Sequence, residues 1–274
     1  MNDLQPIKDI LVCPACRSRL DINQGDITCA HCKQVYPIYE NIPQFAIDEN
    51  VEAFQKEVAQ SSAGNYQKRY VDFEKARNYN LKYERKLLKR LSTKREYQIL
   101  RRLLGRQGHC GNMLEIPCGG GRISSELAKA TDLLIQADIG LGQILYGMTR
   151  KKLQIPQIWM TASAFRIPIR DAGVDAAVCI RLSHHLTTRE QRESLLVELL
   201  RVARRYVIMT FFDYDSIKNS LRRLRNSKPK LTMTISQIAS VAAANSARLI
   251  SCPRLSIVGS GHRYALMVKA PSKL

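Results

Sequence analysis

Met113-Leu114-Glu115-Ile116-Pro117-Cys118-Gly119-Gly120-Gly121-Arg122 is the stretch that decides the fold. An apolar run carries an acid, breaks at three consecutive glycines and restarts as the amphipathic Ile123-Ser124-Ser125-Glu126-Leu127-Ala128. The pattern predicts strand, tight turn and helix. Glycines in such a turn let the backbone come close to a bound ligand, and the helix start offers free N–H groups. Alone, the stretch serves a dinucleotide as well as another nucleoside cofactor.

Working outward, apolar segments run over 113–117, 133–139, 157–161, 174–180, 205–212, 247–258 and 263–269. Helical periodicity falls at 122–130, 141–152, 189–203 and 234–245. This alternation predicts an α/β domain over 109–274, a Rossmann-like, seven-stranded, doubly wound sheet. The last two strands have no long helix between them, and Ser260-Gly261 marks a turn, so they are expected to pair as an antiparallel hairpin. Residues 213–246 read as a basic insertion bearing Lys218, Arg222, Arg223, Arg225, Lys228 and Lys230.

The first 46 residues form a module of their own. Cys13-Pro14-Ala15-Cys16 and Cys29-Ala30-His31-Cys32 are two Cys-x2-Cys units. In a chain whose N-terminus shows no export signal, clustered pairs point to metal rather than disulfides. Four thiolates, Cys13, Cys16, Cys29 and Cys32, close a tetrahedral structural zinc site with no open position. Leu20-Asp21-Ile22 and Asp26-Ile27-Thr28 read as short strands around Gly25, which gives a zinc ribbon. Iron in a rubredoxin-like site and a redox dithiol are the alternatives to zinc. So small a module needs the metal to fold.

Residues 47–108 read as a basic helical linker, with breaks expected at Gly64 and at Ser92-Thr93. Over 66–106 Lys and Arg far outnumber Asp and Glu, and Tyr66, Tyr70, Tyr79, Tyr83 and Tyr97 are interleaved with them. Such a mixture suits a surface that contacts phosphates and stacks bases. It equally suits a helix whose tyrosines pack inward while its lysines are solvated. The whole chain carries a net charge of +19. That excess points to a polyanionic partner, RNA or an anionic membrane surface. No apolar run reaches the roughly 18–20 residues that span a bilayer. The N-terminus has no basic start followed by an apolar stretch, so a cytoplasmic location is expected.

The module's end, Val35-Tyr36-Pro37-Ile38-Tyr39-Glu40-Asn41-Ile42-Pro43, together with its four cysteines, resembles the small zinc-binding activator subunit of tRNA and protein methyltransferases. Glu115-x-Pro117-x-Gly119-Gly120-Gly121 resembles the first motif of class I S-adenosylmethionine-dependent methyltransferases, with Pro117 at the place of the first glycine. The resemblance implies that Glu115 lies beneath the methionine end of the cofactor and that Gly119 and Gly121 let the backbone approach it. Asp138 ends the second strand, where ligands of open α/β sheets bind. A carboxylate there accepts both ribose hydroxyls, although a strand-end Asp also serves as a helix N-cap. Ala162-Ser163-Ala164-Phe165-Arg166-Ile167-Pro168 is similar to the family's third motif, which places Ser163 and Ala164 at the adenine. Asp175-Ala176-Ala177-Val178-Cys179-Ile180-Arg181-Leu182-Ser183-His184-His185-Leu186 resembles the fourth motif of the ubiquinone and menaquinone methylases. By that match Arg181, His184 and His185 line the acceptor side, where a histidine takes a proton from an N–H or O–H nucleophile. Insertions at the place of 213–246 commonly cover the acceptor pocket in this family, which implies a basic lid.

The resemblance also excludes chemistry. No Asn/Asp-Pro-Pro-Tyr/Phe follows the fourth strand, which disfavours exocyclic adenine methylation. Cys179 lacks a preceding Pro, which disfavours a covalent thiolate route to pyrimidine C5. The basic tracts lean slightly to an RNA base ring nitrogen as methyl acceptor. A lipid-linked, saccharide or other small-molecule acceptor is the alternative, and a non-catalytic adaptor is a third reading.

Overall fold

The computed structural model describes residues 3–23, 25–47, 73–85, 87–150, 153–225, 232–257 and 259–270. Gly64, Tyr66, Tyr70, Lys228 and Lys230, singled out in the sequence, lie outside the described residues.

The N-terminal module is a four-stranded antiparallel sheet in the order β1 (Leu20–Ile22), β2 (Asp26–Cys29), β3 (Val35–Tyr39), β4 (Ile42–Pro43). Leu20 faces Cys29 and Asp26 faces Pro37 across the ladders, so Gly25 sits in the expected turn.

Two helices follow, α1 (Phe73–Arg85) and α2 (Leu87–Gly105). Ser92 and Thr93 lie inside α2 and break nothing, a correction to the sequence expectation. The reason is tertiary. Ile99, Leu100, Leu103 and Leu104 of α2 are buried with Met113, Leu134, Val178 and Ile208 of the large sheet, and such packing overrides the weak propensity of two β-hydroxy residues.

The large sheet has seven strands: β5 (Cys110–Glu115), β6 (Thr131–Asp138), β7 (Gln157–Thr161), β8 (Val174–Cys179), β9 (Ala203–Phe212), β10 (Ala247–Ser251) and β11 (His262–Lys269). Their order is β10-β11-β9-β8-β5-β6-β7. The five strands from β5 to β9 run parallel, and β11 is antiparallel to both β9 and β10. Every residue of β8 is buried, as a central parallel strand covered on both faces requires. The strand expected over 247–258 stops at Ser251, beyond a register shift between Leu249 and Ser251.

Helices α3 (Ser124–Leu127), α4 (Leu141–Arg150), α5 (Arg189–Val202), α6 (Ile217–Leu224) and α7 (Ile235–Ala244) complete the domain. Thr188 with Gln191, and Thr234 with Gln237, form capping boxes that start α5 and α7. The second half of the expected insertion is thus α7, whose Ile238 and Ala242 are fully buried.

The small module packs on this domain. Ile7, Leu11 and Phe45 are buried in one core with Ile135, Met160 and Leu199. Val12 N donates to Pro168 O at 3.1 Å, and Arg170 N donates to Ile10 O at 2.8 Å. Gln44 forms an isolated parallel bridge with Thr161, so the module abuts the large sheet at its β7 edge. An edge strand with unpaired N–H and C=O groups is thereby covered.

Candidate functional site

The order in which successive parallel strands are added reverses between β5 and β8, and ligands of open sheets bind at such switch points. A cleft with about 820 Å³ of empty space, open to solvent, lies there. It is lined by Glu115 at the end of β5 and by Pro117, Cys118, Gly119 and Gly120 of the loop that follows. Asp138 enters from the end of β6, and Arg181 from the loop after β8.

Gly119 and Gly121 have φ of +53° and +70°, the left-handed region that favours glycine. Glu115 is buried, and its Oε2 accepts a 2.6 Å bond from Ser124 Oγ at the start of α3. Gln136 Nε2 donates to the same hydroxyl at 2.9 Å. Ser124 therefore fixes the acid, a role the sequence reading missed because serine at a helix start reads simply as a cap.

Asp138 accepts from Gly119 N at 2.8 Å through Oδ2 and from Gly140 N at 2.9 Å through Oδ1. Its carboxylate thus ties the glycine loop to the β6 turn. A carboxylate has about four lone-pair sites, so capacity remains for ligand hydroxyls. Burial pushes its carboxyl up to about 6, against the lowering effect of these backbone N–H groups.

Arg181 sits at φ +65°, its N–H donating to Thr210 Oγ1 at 2.6 Å. Its Nε lies 3.2 Å from Glu96 Oε1. Glu96 comes from α2 and is fully buried; Arg122 and Tyr264 also donate to it. A single acid in the expected linker thus gathers the residue after the glycine loop, an arginine of the loop after β8 and a tyrosine of β11. Periodicity gave no sign of this, because Glu96 lies in a run of Lys and Arg that reads as a solvated face.

Cover over the cleft comes from α1. Tyr79 and Asn80 line it, and Asn80 Nδ2 donates to Gln143 Oε1 at 3.0 Å. Among the described residues, none lining this cleft belongs to 213–246, and the cover over it comes from the expected linker.

Ser163, Ala164, His184 and His185 do not line the cleft. Ser163 and Ala164 are buried in the turn after β7, where Ser163 Oγ accepts from Phe165 N at 3.3 Å. His184 and His185 form a 3-10 turn after Leu182, with rings 4.0 Å apart. His184 also meets Phe212 and His262 edge-on, at 5.2 and 4.8 Å. His262, the third member of this ring cluster, escaped the sequence reading. Burial pushes the thiols of Cys118 and Cys179 up, so neither is an activated nucleophile.

In the small module the four cysteine sulfurs lie within 4.8 Å of one another. Cys13 and Cys32 are 3.6 Å apart, and Cys16 and Cys29 are 3.4 Å apart. A tetrahedron with Zn–S bonds of about 2.3 Å has edges of about 3.8 Å, so the set fits a zinc ion. Tyr36 Oη lies 3.2 Å from Cys13 Sγ and supplies a hydrogen bond to that ligand.

Comparison with known proteins agrees with this geometry. Residues 8–41 match the Trm112p-like protein family, and residues 114–211 match a methyltransferase domain family. The chain carries a Trm112p-like zinc ribbon and a methyltransferase domain. A UPF0434 protein of Polynucleobacter necessarius subsp. necessarius (strain STIR1) is 42% identical over 43 residues, which are 15% of this chain and 73% of that protein. The fold is similar to magnesium protoporphyrin IX methyltransferase from Synechocystis PCC 6803 with bound S-adenosylhomocysteine. The TM-score is 0.57 at 14% identity, covering 68% of this chain and 88% of that one. It is also similar to a complex between the Haloferax volcanii Trm112 methyltransferase activator and a methyltransferase, with TM-score 0.50 at 9% identity, over 62% and 88%. The protein is thus a methyltransferase whose cleft fits S-adenosylmethionine, with structural zinc in its ribbon. Among the described residues, no helix is long and apolar enough to cross a membrane.

Proposed function

We propose that this methyltransferase moves the methyl group of S-adenosylmethionine to a nitrogen or oxygen nucleophile on an anionic acceptor. The convergence of Glu115, the left-handed Gly119, and Asp138 on one cleft carries the reading, with Gly121 shaping the same loop at positive φ. The cofactor supplies an activated methyl on a sulfonium. The chain's task is to align the nucleophile and exclude water, which needs few dedicated groups. In this assignment Asp138 accepts the ribose hydroxyls, Glu115 faces the methionine end, and Tyr79 and Asn80 close the cleft. Ser163 and Ala164 are assigned the adenine contact. Arg181, held by Glu96, faces the acceptor's negative charge. The turn of His184 and His185, next along the chain, is assigned the proton of the nucleophile.

Of the acceptor classes left open, the structure supports a lipid-linked one over an RNA base. The observation is α6, where the second basic tract turns out to carry exposed Ile217, Leu221 and Leu224 beside its cations. Phosphate contacts alone have no use for such a face. Incubation of the zinc-loaded chain with radiolabelled S-adenosylmethionine and fractionated cell extract tests the reading. Label in the lipid or lipid-linked saccharide fraction supports it, whereas label in RNA alone overturns the acceptor class. The packing of the ribbon against the β7 edge, in one core with the large sheet, supports a second proposal, that the ribbon serves as an activator built into the same chain.

A further inference from the structure

Helix α6 is mounted with its polarity reversed. Its inward residues are Ser216, the N-cap, and Asn219, both buried; Asn219 Nδ2 donates to Asp213 O at 2.6 Å. Arg223 Nη1 donates to Tyr214 O at 2.7 Å, and its guanidinium lies 4.2 Å from the Tyr214 ring centroid. Lys218 Nζ donates to Gly259 O at 3.1 Å, which ties α6 to the loop that carries Ile257. The protein thus grips the helix by polar bonds.

The outward stripe is apolar. Ile217, Leu221 and Leu224 follow the i, i+4, i+7 spacing of one helix face and are 42%, 44% and 82% exposed. Tyr214, just before the helix, and Ile257, on the tethered loop, are also exposed. In a helix that packs by its apolar face this pattern is inside out. Lys218 and Arg225 flank the stripe on one side, Arg222 lies further round with one guanidinium nitrogen buried, and Arg223 lies on the other side. Among the described residues none of these four cations pairs with a carboxylate; exposed Asp215 is the acid near them in sequence.

We infer that α6, with Tyr214 and Ile257, is a docking face for an anionic lipid bilayer. An apolar stripe bordered by Lys and Arg is what an interfacial helix presents, the stripe entering the acyl boundary and the cations meeting lipid phosphates. Charge decides the partner, since a chain of net charge +19 is repelled by a second copy and drawn to anionic headgroups. Area agrees. An eight-residue helix is about 12 Å long and offers far less than the roughly 800 Å² per side of a stable dimer. Position agrees too, because α6 follows β9 on the edge of the sheet where the cleft opens. The inference rests on the lipid-linked acceptor reading for its purpose but not for its test, which involves no methyl transfer.

The test is co-flotation of the full zinc-loaded chain with vesicles of phosphatidylglycerol and phosphatidylethanolamine, against vesicles of phosphatidylcholine alone. Binding to the anionic vesicles is expected, weakened roughly tenfold or more by the pair Leu221→Asp and Leu224→Asp, and also by Lys218→Glu with Arg225→Glu. Both variants should bind S-adenosylmethionine as the parent does, which shows that they are folded. Equal binding of parent and variants to anionic vesicles overturns the inference, as does binding to RNA without binding to vesicles. A dimer that the Leu221→Asp, Leu224→Asp pair converts to monomer, with no vesicle binding, also overturns it. Vesicle binding with label found only in RNA would uphold the docking face and refute the acceptor class.

Discussion

At the scale of single residues, two buried acids set the behaviour of the cleft. Asp138 has a carboxyl raised from 3.8 to about 6, with burial as the largest cause. Its native pKa lies above its unfolded one, so its contribution to stability is full below about 3.8 and is lost as pH rises through about 6. Ribose hydroxyls donate to the ionised form. Cofactor affinity should therefore rise with pH through about 6 and level off above it, as read by calorimetric titration between about pH 5 and 8. Asp138→Asn should flatten that dependence, and Asp138→Ala should weaken binding strongly while leaving the circular dichroism spectrum intact. Unchanged affinity in Asp138→Ala would mean that the end of β6 does not hold the ribose. Glu96 works differently, holding Arg122, Arg181 and Tyr264 together. Glu96→Ala strands two partly buried guanidinium groups and should cost on the order of 3–5 kcal/mol in urea unfolding. A loss below about 1 kcal/mol would reduce the cluster to a surface-type pair.

At the scale of elements, α1 is pressed onto the glycine loop. A Cβ on Gly120 would lie 2.5 Å from Asn80 Nδ2 and 2.6 Å from Tyr146 Cδ1. Gly120→Ala should push α1 away and cost about 1–3 kcal/mol by overpacking. Asn80→Ala in the same chain should recover part of that loss, and thermal unfolding of the single and double variants measures both. This closure was not legible in the sequence, whereas the sheet was. Strand β7 runs over 157–161 as periodicity placed it, and the ends of β5, β6, β8, β9 and β11 fall within a few residues of expectation. Period-two and period-3.6 patterns report which face of an element is buried, and that is enough to order a doubly wound sheet. They do not report which acid a helix inserts into a neighbour. Glu96 in its basic run, Ser124 behind Glu115 and His262 beside His184 each depend on contacts between distant segments. A motif match names Ser163 and Ala164, and they are buried in the turn after β7, whose Ala162 N donates to Asp138 O at 3.0 Å. Helix α6 was legible as a basic tract, but its outward apolar stripe became visible only once Asn219 was seen to face inward.

At the scale of the whole molecule, ribbon and catalytic domain share one core, so the metal's stabilisation reaches the sheet. Ile7, Leu11 and Phe45 pack with residues of β6, β7 and α5, and Thr161 Oγ1 lies 3.3 Å from Gln44 Oε1. Chelation of zinc, or Cys16→Ser, should therefore lower the melting temperature of the entire chain in one transition. Full zinc content in Cys16→Ser, by atomic absorption, would refute the four-thiolate site. The central claim is that the loop from Glu115 to Gly121 and the end of β6 hold a methyl donor. Titration of S-adenosylmethionine into the zinc-loaded chain tests it most directly. Saturable one-to-one binding that Asp138→Ala abolishes is the predicted result, and no binding by the folded, zinc-loaded protein would contradict the account.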